Sequence, residues 1–146
     1  MRAPTVTDAL IGEHGVIYPL LDHLTSGSFA AEEARALAAF LAAGLGTHAR
    51  IEDELVFVPL ERHLGPNGGP IAVMRAEHDE VEGTLERLTQ VTDVDEARSL
   101  AAHLAQVARE HFAKEEQVLF PMAEQLLGED ELRSLGEQWV AQRWAA

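Results

Sequence analysis

Apolar side chains recur at helical spacing in five stretches of the chain. The first carries Leu10, Ile11, His14, Ile17, Leu21 and Leu24 on one stripe, behind Thr7 and Asp8, both good helix-capping residue types. Pro19 inside it predicts a kink or a lost hydrogen bond, and Ser26-Gly27-Ser28 ends it. The second stretch runs from about 30 to 63, with Gly44 and Gly46 weakening its middle and Pro59 near its end. Gly65-Pro66-Asn67-Gly68-Gly69-Pro70 is the strongest loop signal and lies near the centre of the chain. A third helix is predicted from there to about Val91, because Pro70 suits a first helical turn. A fourth starts at the capping-box variant Asp93-Val94-Asp95-Glu96 and runs to about Leu127, where Gly128 stops it. Residues 129–144 form a short last helix with Leu132, Leu135, Trp139 and Val140 on one side.

Four long helices with short connections predict an all-α fold: an antiparallel up-down-up-down four-helix bundle with its core over about 8–127. The short C-terminal helix packs on the outside of that bundle or makes a subunit contact, such as that of a homodimer. Composition agrees, because the 47% of apolar residues is dominated by Ala and Leu rather than by aromatic and β-branched strand formers. At 146 residues the chain suits one domain, 1–146, large enough to bury a real core.

Charge narrows the partners. The 25 acidic against 11 basic side chains give a formal charge of −14, which argues against nucleic acid and anionic membrane surfaces. The absence of Cys excludes disulfides, thiolate metal sites and cysteine nucleophiles. Charged or polar residues interrupt every long apolar stretch, and the N-terminus lacks an apolar signal region, so a cytoplasmic location is expected. No Gly-rich phosphate loop or separate acid–base constellation is present.

The two halves of the chain resemble each other. Glu13-His14, Leu21 and Leu24 align with Glu77-His78, Leu85 and Leu88, while His48, Glu52, Asp53 and Phe57 align with His111, Glu115, Glu116 and Phe120. Each half is thus a helical hairpin with His on its first helix and His-x-x-x-Glu on its second. At 1.5 Å rise per residue, the paired histidines of the second hairpin reach the same level within roughly 5 Å, and those of the first within roughly 10 Å.

Residues four apart share a helix face, so an imidazole and a carboxylate at that spacing grip the same ion or neighbouring ions. Three of the seven histidines have Glu at +4: His48/Glu52, His78/Glu82 and His111/Glu115. Chance placement gives about one such pair. Apolar neighbours share these faces: Ile51 and Leu55 with His48, Val107 and Val118 with His111, and Leu10, Ile11 and Leu21 with His14. Buried groups of this kind must be metal-bound, paired or protonated. Mixed imidazole and carboxylate donors without thiolate suit iron or manganese, and their number exceeds one tetrahedral zinc. A two-metal site inside the bundle, with redox-active di-iron foremost, follows from these residues.

The order His14, His48-x-x-x-Glu52, His78-x-x-x-Glu82, His111-x-x-x-Glu115 resembles the hemerythrin HHE cation-binding family over roughly residues 8–127. The resemblance implies a non-haem di-iron centre with an oxo or hydroxo bridge. His14, His48, His78 and His111 would be terminal ligands, and Glu52 and Glu115 bridging carboxylates. Oxygen-carrying hemerythrins have a further histidine where this chain has Glu82. A carboxylate there would favour ferric iron and close the position where O₂ binds; the other placement of Glu82 faces solvent. Tyr18, one turn after His14, packs in the core or approaches the centre. Glu116 is expected to point about 100° away from Glu115 and to play no part. His23, His63 and His103 fall outside the pattern.

Three functions remain open at this point. One is a di-iron protein that handles O₂, peroxide or NO by sensing, scavenging or iron and redox homeostasis. Another is a di-iron redox enzyme of catalase, peroxidase or ferroxidase type, with all activity centred on the metal. The third is a metal-independent structural bundle.

Overall fold

The computed structural model describes residues 2–144, and among them there are helices and no strand. Helix α1 (Val6–Ser26) starts earlier than the sequence predicts. Its N-cap is Thr5, whose hydroxyl accepts from the Asp8 backbone N–H, leaving Thr7 buried within the first turn. It runs through Pro19 and ends at Gly27, whose φ of 65° supplies a left-handed cap. Helix α2 (Ala31–Glu52) passes Gly44 and Gly46 without a break. It continues through a widened π turn (Asp53–Phe57) into α3 (Val58–Leu64). After the glycine loop come α4 (Ile71–Leu88) and α5 (Val94–Lys114), the latter capped by Asp93, which accepts from the Glu96 N–H. A second π turn (Glu115–Leu119) leads into α6 (Phe120–Leu127), and α7 (Glu129–Trp144) closes the chain.

The two π turns explain how proline is tolerated inside a continuing helix. A proline ring in an α-helix clashes with the carbonyl four residues back and donates no hydrogen bond. Here the residue before each proline reaches five residues back: Val58 N–H to Asp53 O, and Phe120 N–H to Glu115 O. The turn is widened, so Pro59 and Pro121 fit and the helix goes on. The extra residue also changes which side chains face inward. Val118 would share the His111 face in a regular helix, but it is exposed, and Leu119 is buried in its place. Ile11 likewise lies on the outer edge of the His14 stripe and is exposed.

Helix α5 packs against α1 and α4, and α2 packs against α4. Their contacts form two apolar clusters. One gathers Leu21, Leu24, Leu41, Leu88, Leu104 and Phe112; the other gathers Leu10, Ile51, Phe57, Ile71, Phe120 and Leu132. Each long helical rod passes from one cluster to the other at a histidine. Leu10 and Ile17 flank His14, Leu45 and Ile51 flank His48, Met74 and Leu85 flank His78, and Ala108 and Leu119 flank His111. Burying each large side chain contributes about 1.5–3 kcal/mol, so the two clusters can hold a polar layer between them.

Helix α7 packs on α1 and α6. Leu132 and Leu135 are buried and Trp139 is half-buried against the second cluster, whereas Val140 is exposed. Gly136 lets α7 lie directly on the N-terminal segment, because a Cβ there would overlap the carbonyl oxygen of Pro4. Gly136→Ala is therefore expected to destabilise the protein by about 1–3 kcal/mol. Denaturant unfolding measures it, and an unchanged midpoint would show that the contact yields freely.

Candidate metal centre

Four rods deliver the ligand-type side chains to one level: α1 brings His14, α2 brings His48 and its last residue Glu52, α4 brings His78, and α5 with its π turn brings His111 and Glu115. The Nε2 atoms of His14 and His48 face each other at 3.1 Å, and those of His78 and His111 at 3.0 Å. Imidazole nitrogens bonded at right angles to one metal at about 2.1 Å stand about 3.0 Å apart. Glu52 Oε1 lies 2.6 Å from His48 Nε2 and 3.7 Å from His78 Nε2. Glu115 Oε1 lies 3.3 Å from His14 Nε2 and 3.2 Å from His111 Nε2. Each carboxylate thus reaches one histidine of each pair. Two groups result, His14/His48/Glu52/Glu115 and Glu52/His78/His111/Glu115, each with ligand atoms within 4.8 Å of one another and both containing both glutamates.

The burial tests whether cations fit here. Glu52 and Glu115 are wholly buried, and apart from the facing imidazole nitrogens none of their four oxygens has a hydrogen-bond partner; His14 Nδ1 has none either. Leaving buried carboxylate oxygens unsatisfied costs several kcal/mol, so an arrangement that aims them at paired imidazoles calls for positive charge between them. The donors fit a hard or borderline metal.

Electrostatics agree in part. Burial, reinforced by the charge of His48, pushes the His14 pKa down to about 4, and burial does the same to His111. Both imidazoles are thus neutral and ready to ligate. Burial works against Glu52, yet the facing His48 and His78 hold its carboxyl well below the usual range. Burial also opposes the charged form of His48, but Glu52 and Glu13 raise it to about 9, so His48 must release a proton to a metal.

A second layer of carboxylates orients the histidines, and sequence reading gave it no role. His48 Nδ1 donates to Glu13 Oε1 at 2.7 Å, and His111 Nδ1 to Glu77 Oε1 at 3.1 Å. The repeated Glu-His pair, Glu13-His14 and Glu77-His78, was the available signal. Each glutamate serves not its neighbour but the histidine of the next helix. Glu13 also accepts from Trp139 Nε1 at 2.8 Å and from Arg143 Nε and Nη2 at 2.7 Å each, which fastens α7 to the site. Burial would raise the Glu13 pKa, but its bonds to His48, Arg143 and Trp139 bring it to about 2. Glu77 has Lys114 Nζ at 2.5 Å instead, and its carboxyl is also held below the usual range against burial.

Glu116 takes part, contrary to expectation. The direction 100° from Glu115 faces α1 rather than open solvent. Glu116 accepts from Tyr18 Oη at 2.6 Å and lies 3.6 Å from His14 Nδ1. Tyr18 both packs against the first apolar cluster and supplies this bond, with its pKa raised to about 12 by burial and by Glu116. Glu82 is not brought to either ligand group. His78 already stands at the edge of the buried layer, and one turn further on Glu82 emerges onto the exposed rim of a cleft. His103 pairs with Glu80 on the surface, away from the centre.

That cleft has a volume of about 460 Å³ and opens between α2 and α4. Ala42, Gly46, Val81 and Leu85 line its walls, and His48, Glu52, His78 and His111 lie at its floor.

Paired histidines and shared buried glutamates among packed helices make a candidate cation site of the His/Glu type. The sequence matches the hemerythrin HHE cation binding domain over residues 5–123, and the chain belongs to that family. No curated protein and no solved structure matches it. No helix among the described residues is long and apolar enough to cross a membrane.

Removing an orienting carboxylate typically weakens a metal site 10–100-fold. Glu13→Ala is expected to lower metal affinity by about that range. Competition with a chelator reads the effect, and unchanged affinity would leave Glu13 a purely structural contact.

Proposed function

We propose that the protein holds two iron ions, one between His14 and His48 and one between His78 and His111, with Glu52 and Glu115 bridging. On this reading it handles O₂, peroxide or NO, in sensing, scavenging or iron and redox homeostasis. The observation that supports it is the sharing of both glutamates by both ligand groups. A single ion would leave one pair of facing imidazoles without a cation. Iron, when bound, supplies redox chemistry and positions for small ligands. The chain's own part is to hold imidazoles and carboxylates at fixed spacing, to lock His48 and His111 through Glu13 and Glu77, and to exclude bulk water from the buried glutamates. Glu82 is left outside the proposed ligand set because of its place on the rim. The short connections at 27–30 and 89–93 favour an up-down-up-down course for the four long rods.

A catalase-, peroxidase- or ferroxidase-like variant of the same reading draws on the cleft, which reaches the ligand floor from solvent. Turnover of peroxide by the iron-loaded protein separates it from a binding role.

The purified protein is expected to carry two irons per chain, with the near-ultraviolet absorption of an oxo-bridged pair. Absence of bound metal after iron supplementation would contradict the proposal and favour a structural bundle. His111→Ala is expected to lose iron and to lose the stabilisation that iron gives, because metal binding is linked to folding. Full iron occupancy in His111→Ala would overturn the ligand assignment.

A further inference from the structure

Three helices meet at Glu13. It leaves α1 one residue before His14, yet its carboxylate serves His48 of α2, and the donors behind it come from α7. Trp139 and Arg143 stand four residues apart on α7 and so share a face. Arg143 donates from Nε to Oε2 and from Nη2 to Oε1, both at 2.7 Å, a two-pronged grip that fixes the plane of the carboxylate. Trp139 Nε1 adds a bond to Oε2 at 2.8 Å, and Oε1 is left aimed at His48 Nδ1, 2.7 Å away. Without this backing, a glutamate must order several free side-chain torsions before it can hold an imidazole, at a cost in entropy.

The matching group in the other half is built differently. Glu77 of α4 holds His111 of α5, and its backing donor Lys114 belongs to α5 itself, one turn after His111. Lys114 is a point charge on a flexible stem, with 46% of its side chain exposed against 26% for Arg143. That half is complete within α4 and α5.

We propose that Trp139 and Arg143 are positioning residues for the His14/His48 metal position, so that the last turns of α7 set the affinity of that position apart from its twin at His78/His111. The inference rests on the two-metal reading above. Arg143 and Trp139 fix Glu13, Glu13 fixes the ring of His48, and His48 Nε2 is thereby held 3.1 Å from His14 Nε2. A carboxylate that orients a ligating imidazole is typically worth 10–100-fold in affinity, and the residues that orient the carboxylate inherit part of that effect. Helix α7 divides its tasks along its length. Leu132 and Leu135 pack into the second apolar cluster, and the turns beyond them hold Glu13.

Ferrous iron in competition with a chelator, without oxygen, reads the affinity of each position. Arg143→Ala and Trp139→Phe are each expected to weaken one of the two ions by roughly tenfold and to leave the other in place. Trp139→Phe keeps an aromatic ring and removes the N–H, so it serves alone if Arg143→Ala fails to fold. Gln142→Ala is the control. Gln142 lies in the same turn but bonds Glu54 rather than Glu13, and both ions are expected to stay bound as in the wild type. Lys114→Ala is expected to weaken the other ion, so Arg143→Ala/Lys114→Ala weakens both. In a Glu13→Ala background, Arg143→Ala is expected to cost nothing further, because it acts through Glu13 alone. Unchanged iron affinity in Arg143→Ala and Trp139→Phe would overturn the proposal. So would an equal loss in Gln142→Ala, or a loss that persists in the Glu13→Ala background, since either makes α7 a general brace. A double Arg143/Lys114 variant that still keeps one ion at full affinity would overturn the separation of the two positions. A wild-type chain that binds one ion or none would refute the two-metal reading instead.

Discussion

Two fully buried glutamates, Glu52 and Glu115, set the terms for the rest of this protein. Their four oxygens meet no hydrogen-bond donor other than the facing imidazoles, and each carboxylate points at histidines from two different helices. Stripping water from two carboxylates costs several kcal/mol apiece unless positive charge replaces it. Four imidazoles held at one level can seat that charge between the carboxylates, and the apolar clusters above and below hold them there. The same clusters keep water out, which strengthens every interaction between the glutamates and a cation.

Internal symmetry builds this layer and is then broken around it. Glu13 and Glu77 occupy matching places and perform matching tasks on His48 and His111. Their anchors differ. Glu13 is held by Trp139 and Arg143 of α7, whereas Glu77 is held by the half-exposed Lys114. Helix α7 lies beyond the 5–123 family match, so this chain fastens one half of its centre with a segment outside the family domain. The other half faces the cleft. Tyr18 and Glu82 occupy equivalent positions in the repeat and have opposite settings: one closes its side by bonding Glu116, and the other stands on an open rim.

Much of the centre was legible in the sequence because its chemistry obeys helix periodicity. His48/Glu52 and His111/Glu115 at +4, repeated one half-chain apart, are local patterns that packing preserves. The all-helical fold was legible for the same reason, as were the glycine loop and the Asp93 cap. What escaped depends on contacts between distant helices or on departures from 3.6 residues per turn. Glu13 and Glu77 orient histidines some 35 residues away, a relation no local spacing encodes. The π turns before Pro59 and Pro121 add a residue to the turn, so Leu119 rather than Val118 faces inward. The angle between Glu116 and Glu115 follows from the helix, but what lies in that direction, Tyr18 and His14 of α1, does not. Glu82 shares the spacing of the pairs that converge, yet its helix leaves the buried layer before it arrives.

The central claim is that shared carboxylates define two metal positions rather than one. Anomalous diffraction at the iron edge, from crystals of the iron-loaded protein, tests it most directly. Two separate peaks are predicted between Glu52 and Glu115, one beside the His14/His48 pair and one beside His78/His111. A single peak, or iron bound away from the two glutamates, would contradict the account.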